Sequence, residues 1–151
     1  MLSYCNKTIA RYMITKVFDT IIDIEQYPQF IPWCNNVKII FQNNNEIVAD
    51  LTILFNGVRI TYTSQIVVSN KIKNHGKVFI EIKMIRGPFR SLKSQWTLNR
   101  IDSNLTKINF NIEFLVQNYF LQKIITPIFN NACLKIFNSF TKRVVNLSSI
   151  K

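Results

Sequence analysis

The sequence predicts an α+β fold in which a curved antiparallel β-sheet wraps around a long C-terminal α-helix, with short helices near the N-terminus. Apolar and polar residues alternate over most of residues 37–114, and an apolar stripe at helical spacing covers residues 118–147. A helix with one apolar face that follows strands with one apolar face buries that face by lying across the strands. Because no repeat or linker interrupts the 151 residues, we expect a single domain over residues 1–151.

The region before the sheet predicts a short helix followed by a tight turn. Thr15 is the expected N-cap of the helix. Pro28 and Pro32 each disfavour helix at the preceding residue, so residues 27–34 are expected to form a turn or a single helical turn. The helix is predicted by apolar residues spaced along one helical face, namely Ile14, Val17, Phe18, Ile21 and Ile22.

The first strands are predicted because apolar residues change from helical spacing to strict alternation at Val37. Asn56 and Gly57 supply the two positive-φ positions of a type I′ turn, and this turn sets the register of the hairpin around it. A slip of one residue would turn one strand's apolar set to the wrong face, so the register is strongly specified. An earlier strand is expected to carry Val37, Ile39 and Phe41 on one face. The expected pairs of the hairpin are Phe55 with Val58, Ile53 with Ile60, Leu51 with Tyr62 and Ile47 with Ile66.

Three further strands are expected between turns at residues 74–76, 87–88 and 102–104. Their apolar faces carry Val78, Ile80, Ile82 and Met84, then Leu92, Ser94, Trp96 and Leu98, then Ile108, Phe110, Ile112 and Phe114. Polar residues fill the opposite face of the last strand, so one side of the sheet is expected to be exposed to solvent. These polar residues are Lys107, Asn109, Asn111 and Glu113.

A long helix is predicted from Asn118 to Leu147, and Pro127 is expected to kink it or to mark where its main part begins. Its stripe comprises Leu121, Ile124, Ile125, Ile128, Phe129, Ala132, Cys133, Ile136, Phe137, Phe140, Val144 and Val145.

Charge and the absence of targeting signals limit the location and partners of the chain. No run of 18 apolar residues and no basic leader occurs, so we expect a cytoplasmic protein that can also lie peripherally on the inner membrane. The formal net charge of +11 would attract anionic partners such as ribosomal RNA or a phospholipid surface, and DNA is not among the expected partners. Composition bias in an AT-rich genome explains the same charge equally well.

No residue pattern indicates catalysis or metal binding. His75 is expected to be exposed in a turn, and Asp19 and Asp23 lie on the polar face of the first helix. Cys5, Cys34 and Cys133 form no CxxC pair, which favours free thiols over a disulfide framework or a zinc site. No catalytic residue, metal site or cofactor is therefore expected.

An apolar pocket between the sheet and the long helix is the remaining candidate site. Met84 and Phe89 are expected at its mouth, beside the break at residues 87–88. Core packing is the alternative for any single aromatic residue, and it is the better supported of the two. The candidate ligand-binding residues are Phe30, Pro32, Trp33, Met84, Phe89, Leu92, Trp96, Phe110, Phe114, Phe129 and Phe137.

Three segments resemble the coenzyme Q-binding, START-like proteins: YPQFIPWC at 27–34, RGPFRSL at 86–92 leading to Trp96, and a closing stretch from FNNA at 129–132 to FTKR at 140–143. The bacterial ribosome-association toxin A family belongs to the same group. The resemblance spans nearly the whole chain and implies the helix-grip fold of the START and polyketide-cyclase superfamily. It also implies a tunnel for ubiquinone or a related isoprenoid lipid, lined or gated by the pair Pro32 and Trp33 and by Phe89, Leu92 and Trp96.

One departure from this resemblance concerns the rim of the tunnel. The family often has Asp before the Gly-Pro-Phe segment, whereas this chain has Arg86, which puts any role for a rim acid in doubt.

Two functions of different classes follow, and a third is weaker. The first is non-enzymatic binding and chaperoning of ubiquinone or a similar isoprenoid lipid in support of respiratory electron transport, with Arg86, Arg90 and Lys93 touching anionic headgroups. The second is a toxin-like regulator that binds the large ribosomal subunit and blocks subunit joining. A cyclase-like enzyme is the weakest, because the positions expected to face the pocket are nearly all apolar.

Overall fold

A computed structural model of the chain describes residues 1–69 and 76–149, with side chains described up to residue 145. The helices are α1 (Ile14–Ile22), α2 (Tyr27–Phe30), α3 (Tyr119–Ile125) and α4 (Phe129–Ser149), with 3₁₀ turns at Ile24–Gln26 and Thr126–Ile128. The strands are β1 (Leu2–Ala10), β2 (Cys34–Gln42), β3 (Glu46–Phe55), β4 (Val58–Ser69), β5 (Lys77–Arg86), β6 (Ser91–Asp102) and β7 (Leu105–Leu115).

The seven strands form one antiparallel sheet in the order β1-β7-β6-β5-β4-β3-β2. The hairpin at Asn56-Gly57 has the predicted register, since all four expected pairs, from Phe55 with Val58 to Ile47 with Ile66, are direct partners. Asn56 and Gly57 have φ of 48° and 79°, as a type I′ turn requires. The predicted α+β architecture, a curved sheet gripping a long helix, is therefore confirmed.

Strand β1 lies at one edge of the sheet and was not expected from the sequence. It pairs with β7 from Leu2 opposite Phe114 to Ala10 opposite Thr106. The Thr106 hydroxyl donates a hydrogen bond to the Tyr12 carbonyl at 2.8 Å and ties the end of this strand to β7. Polar Asn6 and Thr8 occupy inward positions, so the apolar alternation that identifies a strand is incomplete.

Two local predictions are wrong. Phe41 does not share a face with Val37 and Ile39, because the pairing of β2 with β3 shifts between Ile39 and Phe41 and leaves Phe41 49% exposed. Thr15 is not the N-cap of α1, because the helix already begins at Ile14. Met13 takes the cap position in an extended conformation and makes no side-chain capping bond.

The prolines and the C-terminal helix follow the prediction. Residues 27–30 form one helical turn, which ends at Ile31 in an extended conformation before Pro32. The helical region begins after Asn118, whose side chain accepts a hydrogen bond from the Leu121 N–H at 3.1 Å. Pro127 lies in the 3₁₀ turn that separates α3 from α4, so the main helix begins just after it.

Helix α4 lies across the concave face of the sheet and completes the core. The Phe137 ring stacks on the Trp96 ring of β6 at a centroid distance of 6.0 Å, and the Phe140 ring contacts Trp96 at 4.9 Å. Val144 is also buried in this core. On the opposite side of the sheet, Lys107, Asn111 and Glu113 are exposed as predicted.

Of the predicted turn at 74–76, Asn74 and His75 lie outside the described residues, and Gly76 has a φ of 63°. The side chain of Leu147 also lies outside them. None of the helices in the described ranges is both long enough and apolar enough to cross a bilayer.

Candidate functional site

A cavity of about 280 Å³ lies between the concave face of the sheet and helices α3 and α4. Strands β3 to β7 form its wall through alternate residues, because side chains in a strand alternate between the two faces. The predicted ligand-binding residues in its lining are Pro32, Trp33, Phe89, Leu92, Trp96, Phe110, Phe114 and Phe129.

Three predicted binding residues are not part of this lining. Phe137 lies between α4 and the sheet, stacked on Trp96 and Phe110, so it fills core space. Phe30 packs edge-on against Tyr27 and Phe140 and borders a different groove. Met84 lies beneath the loop between β5 and β6, where a Cβ at Gly87 would come within 2.7 Å of the Met84 sulfur. Ligand binding by any of the eleven residues stays a prediction.

Aromatic rings from two loops and three strands surround the mouth of the cavity. Phe89 contacts Phe114 at a centroid distance of 4.7 Å and Tyr62 at 6.2 Å, and Trp33 contacts Phe55 at 5.2 Å. Trp33 has a φ of 65°, a left-handed conformation that is uncommon for a bulky residue. The Leu54 N–H donates to the Trp33 carbonyl at 2.9 Å and helps to hold this conformation, which directs the indole ring toward the mouth.

The cavity wall contains few polar groups. Ser64 is 2% exposed, and its hydroxyl has no hydrogen-bond partner among the residues that the structure describes. Ser94 also lines the cavity, whereas the Tyr27 hydroxyl donates to the Ile21 carbonyl outside it. A buried, unpaired hydroxyl costs free energy, and a ligand with a hydrogen-bonding group would remove that cost.

Sequence reasoning missed Ser64 as a site residue, although a signal existed. Ser64 lies two residues from Tyr62 and two from Ile66, and both of these residues face the cavity. The same alternation identifies Leu51, Ile53 and Ile60, which also line it.

Two cysteines line the cavity as protonated thiols. Burial raises the pKa of Cys34 to about 11 and the pKa of Cys133 to about 12. Near neutral pH neither is a thiolate, so neither is an activated nucleophile. Cys5 lies apart on the exposed side of β1.

A second, more polar groove lies between α1 and α4. Burial first, and then the charge of Asp23, raises the pKa of Asp19 above its ordinary value. The Arg143 guanidinium lies over the Phe30 ring at 5.0 Å and donates to the Gln29 side chain at 3.4 Å.

Across residues 1–69 and 76–149, no group of three or more His, Cys, Asp or Glu side chains is placed to hold a metal ion.

Two of the three cations predicted to touch anionic headgroups lie beside the loop between β5 and β6, and the third lies within β6. Arg86 and Arg90 flank the Gly87–Phe89 loop at the cavity mouth, and the Arg90 N–H bonds to the Leu115 carbonyl at 3.0 Å. Lys93 lies between Leu92 and Ser94, which both face the cavity, so it points to the outer side of the sheet. Headgroup contact by these residues stays a prediction.

The candidate site is an apolar cavity under a long helix, and this arrangement agrees with the family that the sequence matches. Residues 12–141 match the family model described as polyketide cyclase/dehydrase and lipid transport. The chain belongs to this family. The resemblance to START-like proteins drawn from the sequence is thereby confirmed.

Among curated members, the ribosome association toxin RatA of Rickettsia prowazekii is 37% identical over 143 residues, which cover 95% of this chain and 96% of the relative. A mitochondrial coenzyme Q-binding protein COQ10 homolog B from Xenopus laevis is 28% identical over 67 residues, 44% of this chain and 28% of that protein. Of the two functions expected from the sequence, the ribosome-associated one thus has the stronger support.

Solved structures with the helix-grip fold superimpose on nearly the whole chain. The Zhui aromatase/cyclase from Streptomyces sp. R1128 superimposes with a TM-score of 0.83 at 12% identity, covering 99% of this chain and 96% of the other. A START superfamily protein from Mycobacterium smegmatis gives a TM-score of 0.75 at 13% identity, covering 96% and 98%. At these identities the likeness shows the fold alone. The non-enzymatic role therefore stays a prediction, because the family also includes cyclases.

Proposed function

We propose that the protein binds the large ribosomal subunit and blocks its joining to the small subunit, without catalysing a reaction. The observation that carries this proposal is the 37% identity to a ribosome association toxin over nearly the full length of both chains. The net charge of the chain supports it, since the sequence has 19 lysines and arginines and only 8 acidic residues. A polycation of this size is attracted to the phosphates of ribosomal RNA.

A binding role needs no reactive group, and the described side chains agree with this. The thiols of Cys34 and Cys133 are held protonated by burial, and the cavity wall is almost entirely apolar. A blocking protein acts by occupying a surface that the other subunit needs. We therefore place its activity on the outside of the fold.

Sedimentation with purified ribosomal subunits tests this proposal. The protein should co-sediment with isolated bacterial large subunits at about 50 mM salt and dissociate as salt rises, as phosphate contacts require. It should also slow the formation of whole ribosomes from mixed subunits, measured by light scattering. Failure to co-sediment at low salt, or unchanged subunit joining at saturating protein, would remove the proposal.

A second candidate function, carriage of an isoprenoid lipid such as ubiquinone, is favoured by the cavity itself. Burial of each ligand CH₂ is worth about 0.8 kcal/mol, so a few isoprene units in this apolar space would give useful affinity. Ser64 lies deep in the wall and offers an unpaired hydroxyl to the carbonyl of a quinone head. In this proposal Arg86 and Arg90, beside the mouth, contact anionic headgroups while the ligand enters.

Lipid extraction and transfer test the second candidate. The protein purified from membrane-containing cells is extracted with organic solvent and analysed by mass spectrometry, then incubated with ubiquinone-loaded liposomes. Bound isoprenoid and saturable uptake are expected. Absence of lipid in both assays would exclude carriage while leaving the ribosomal proposal intact.

A further inference from the structure

The outer face of the sheet carries lysines on four neighbouring strands. On β5 and β7, Lys77 and Lys107 lie on either side of Asn99 of β6, which is the direct partner of both. Toward the other end of β5, Lys83 lies directly opposite Lys93. Lys7 of β1 lies opposite Asn109 of β7. These five exposed lysines define what we call the lysine face.

The lysine face is separated from the cavity by the thickness of the sheet. Ile82, Ser94 and Trp96 line the cavity, and they alternate along β5 and β6 with the outward residues Lys83, Lys93 and Gln95. Substitutions on the lysine face therefore leave the cavity wall unchanged. The two candidate functions can be tested independently on the same chain.

The outer surface carries more net positive charge on this half, because Lys38 and Arg59 on the other half are accompanied by the acids Asp50 and Glu46. Between the lysines, the face carries Glu81 and Glu113 as its acids. On the other half, the Asp50 carboxylate accepts a hydrogen bond from the Thr63 hydroxyl at 2.6 Å, and the Glu46 carboxylate accepts one from Gln65. The sheet thus presents a basic half on β5, β6, β7 and β1.

Lys93 lies between a like charge and an opposite charge, because Lys83 of β5 is its partner on one side and Glu113 of β7 is its partner on the other. Like charges directly opposite each other on neighbouring strands destabilise a sheet. A polyanion bound over the face would neutralise both ammonium groups and remove this repulsion. Glu113 offsets part of this repulsion, and a bound polyanion would offset the rest.

The spaces between the lysines contain groups that can hydrogen-bond to a nucleic-acid backbone. Asn99, Asn109 and Asn111 point outward from β6 and β7, and amide side chains commonly contact phosphate and sugar oxygens. Phe79 is partly exposed beside Lys77, whose ammonium lies 5.0 Å from the ring centroid. An exposed ring on a basic sheet offers a stacking surface for an unpaired base.

We propose that the lysine face binds ribosomal RNA through its phosphate backbone. This inference rests on the proposed ribosomal function and names the surface and the partner chemistry. The face extends roughly 20 Å along β5 and about 14 Å across the strands, enough to span several phosphates. An anionic bilayer fits it less well, because the most exposed aromatic side chains, Tyr119 and Phe120, lie on α3.

A charge-matched pair of triple variants tests the inference. The first, Lys77→Ala/Lys83→Ala/Lys107→Ala, removes three charges from the lysine face. The control, Lys38→Ala/Lys135→Ala/Lys142→Ala, removes three exposed charges from β2 and α4. Binding of each variant to purified large subunits and to isolated large-subunit RNA is measured between 50 and 200 mM salt.

The face variant should bind both probes at least tenfold more weakly than the unmodified protein. The magnitude of the slope of log binding constant against log salt concentration should fall by about 2 to 3, since each phosphate contact contributes roughly 0.7 to 0.9. The control should stay within about twofold of the unmodified protein. An equal loss in both variants would mean that net charge, and not this face, determines binding, and wild-type affinity in the face variant would overturn the inference outright.

Two further outcomes separate this inference from the proposed function. If the unmodified protein binds isolated RNA through these lysines but does not bind subunits, the ribosomal function fails and the RNA-binding face stands. If the face variant instead loses binding only to phosphatidylglycerol vesicles, the face is a membrane surface and the inference is wrong. Unchanged thermal unfolding of both variants serves as the folding control.

Discussion

The Phe89 ring of the β5–β6 loop lies nearly edge-on to the Phe114 ring of β7, with centroids 4.7 Å apart and an interplanar angle of 73°. Phe114 in turn contacts Phe129, the first residue of α4, at 6.0 Å. Three rings thus connect a loop, a strand and the long helix at the mouth of the cavity. Since Phe89 is partly exposed and is the one of these three rings that lies on a loop, it can leave this contact without opening the core.

Phe89→Ala is therefore expected to speed ligand exchange with little loss of stability. An edge-on aromatic contact contributes about 0.5–1.5 kcal/mol, so the release of bound ubiquinone to acceptor liposomes should accelerate roughly 2- to 10-fold. Phe41→Ala, at an exposed site on β2, is the matched control and should leave release unchanged. Equal release rates in wild type and Phe89→Ala would show that the ring does not gate the cavity.

Much of the fold could be predicted because its local signals agree with one another. The Asn56-Gly57 turn fixes a hairpin register, and the alternation from Ile47 to Ile66 fits that register alone. The shift in β2 after Ile39 could not be predicted, because apolar residues at 39–41 are compatible with either face. Strand β1 was missed because an edge strand with few buried residues carries a weak pattern.

The site was less predictable than the fold. Alternation shows which residues point inward, but the spacing between α4 and the sheet decides whether an inward residue meets a void or another side chain. Trp96 and Phe137 illustrate this, since the two rings stack and yet only Trp96 reaches the cavity. Ser64 was missed for a different reason, because a small polar residue adds nothing to an apolar pattern.

Phe137→Ala should destabilise the fold rather than change ligand affinity directly. Phe137 is 3% exposed and stacks on both Trp96 and Phe110, so its truncation leaves a cavity in the core. Such a change costs about 3–5 kcal/mol in the free energy of unfolding, measured by urea denaturation. Phe89→Ala provides the comparison and should cost much less. Similar losses in the two variants would contradict the assignment of Phe137 to the core.

Ser64→Ala should change stability and quinone affinity in opposite directions. Removal of an unpaired buried hydroxyl relieves a cost of about 1–3 kcal/mol, so the empty protein should unfold at a higher temperature. Affinity for ubiquinone should fall severalfold, because its carbonyl loses a donor. Affinity for squalene, a hydrocarbon of isoprene units without a polar head, should stay constant. A parallel loss of affinity for both ligands would mean that Ser64 acts through shape alone.

The buried thiols of Cys34 and Cys133 should make the fold sensitive to alkali. Burial raises the pKa of each from an ordinary 9.0, to about 11 for Cys34 and about 12 for Cys133, so the folded state keeps protons that the unfolded chain releases. Their contribution to stability is complete below pH 9 and is lost as pH rises toward these values. Urea denaturation at pH 8, 9 and 10 should therefore show a falling free energy of unfolding.

The double variant Cys34→Ala/Cys133→Ala isolates this effect from other groups. Burial also raises the pKa values of Tyr27 and Tyr62 above their ordinary 10.0, so these phenols contribute mainly above pH 10. Between pH 9 and 10 the double variant should lose less stability than wild type, although truncation makes it less stable at pH 8. Cys5→Ser, at an exposed site, should keep the wild-type slope. Identical slopes in all three proteins would show that the two cavity thiols titrate alike in the folded and unfolded states.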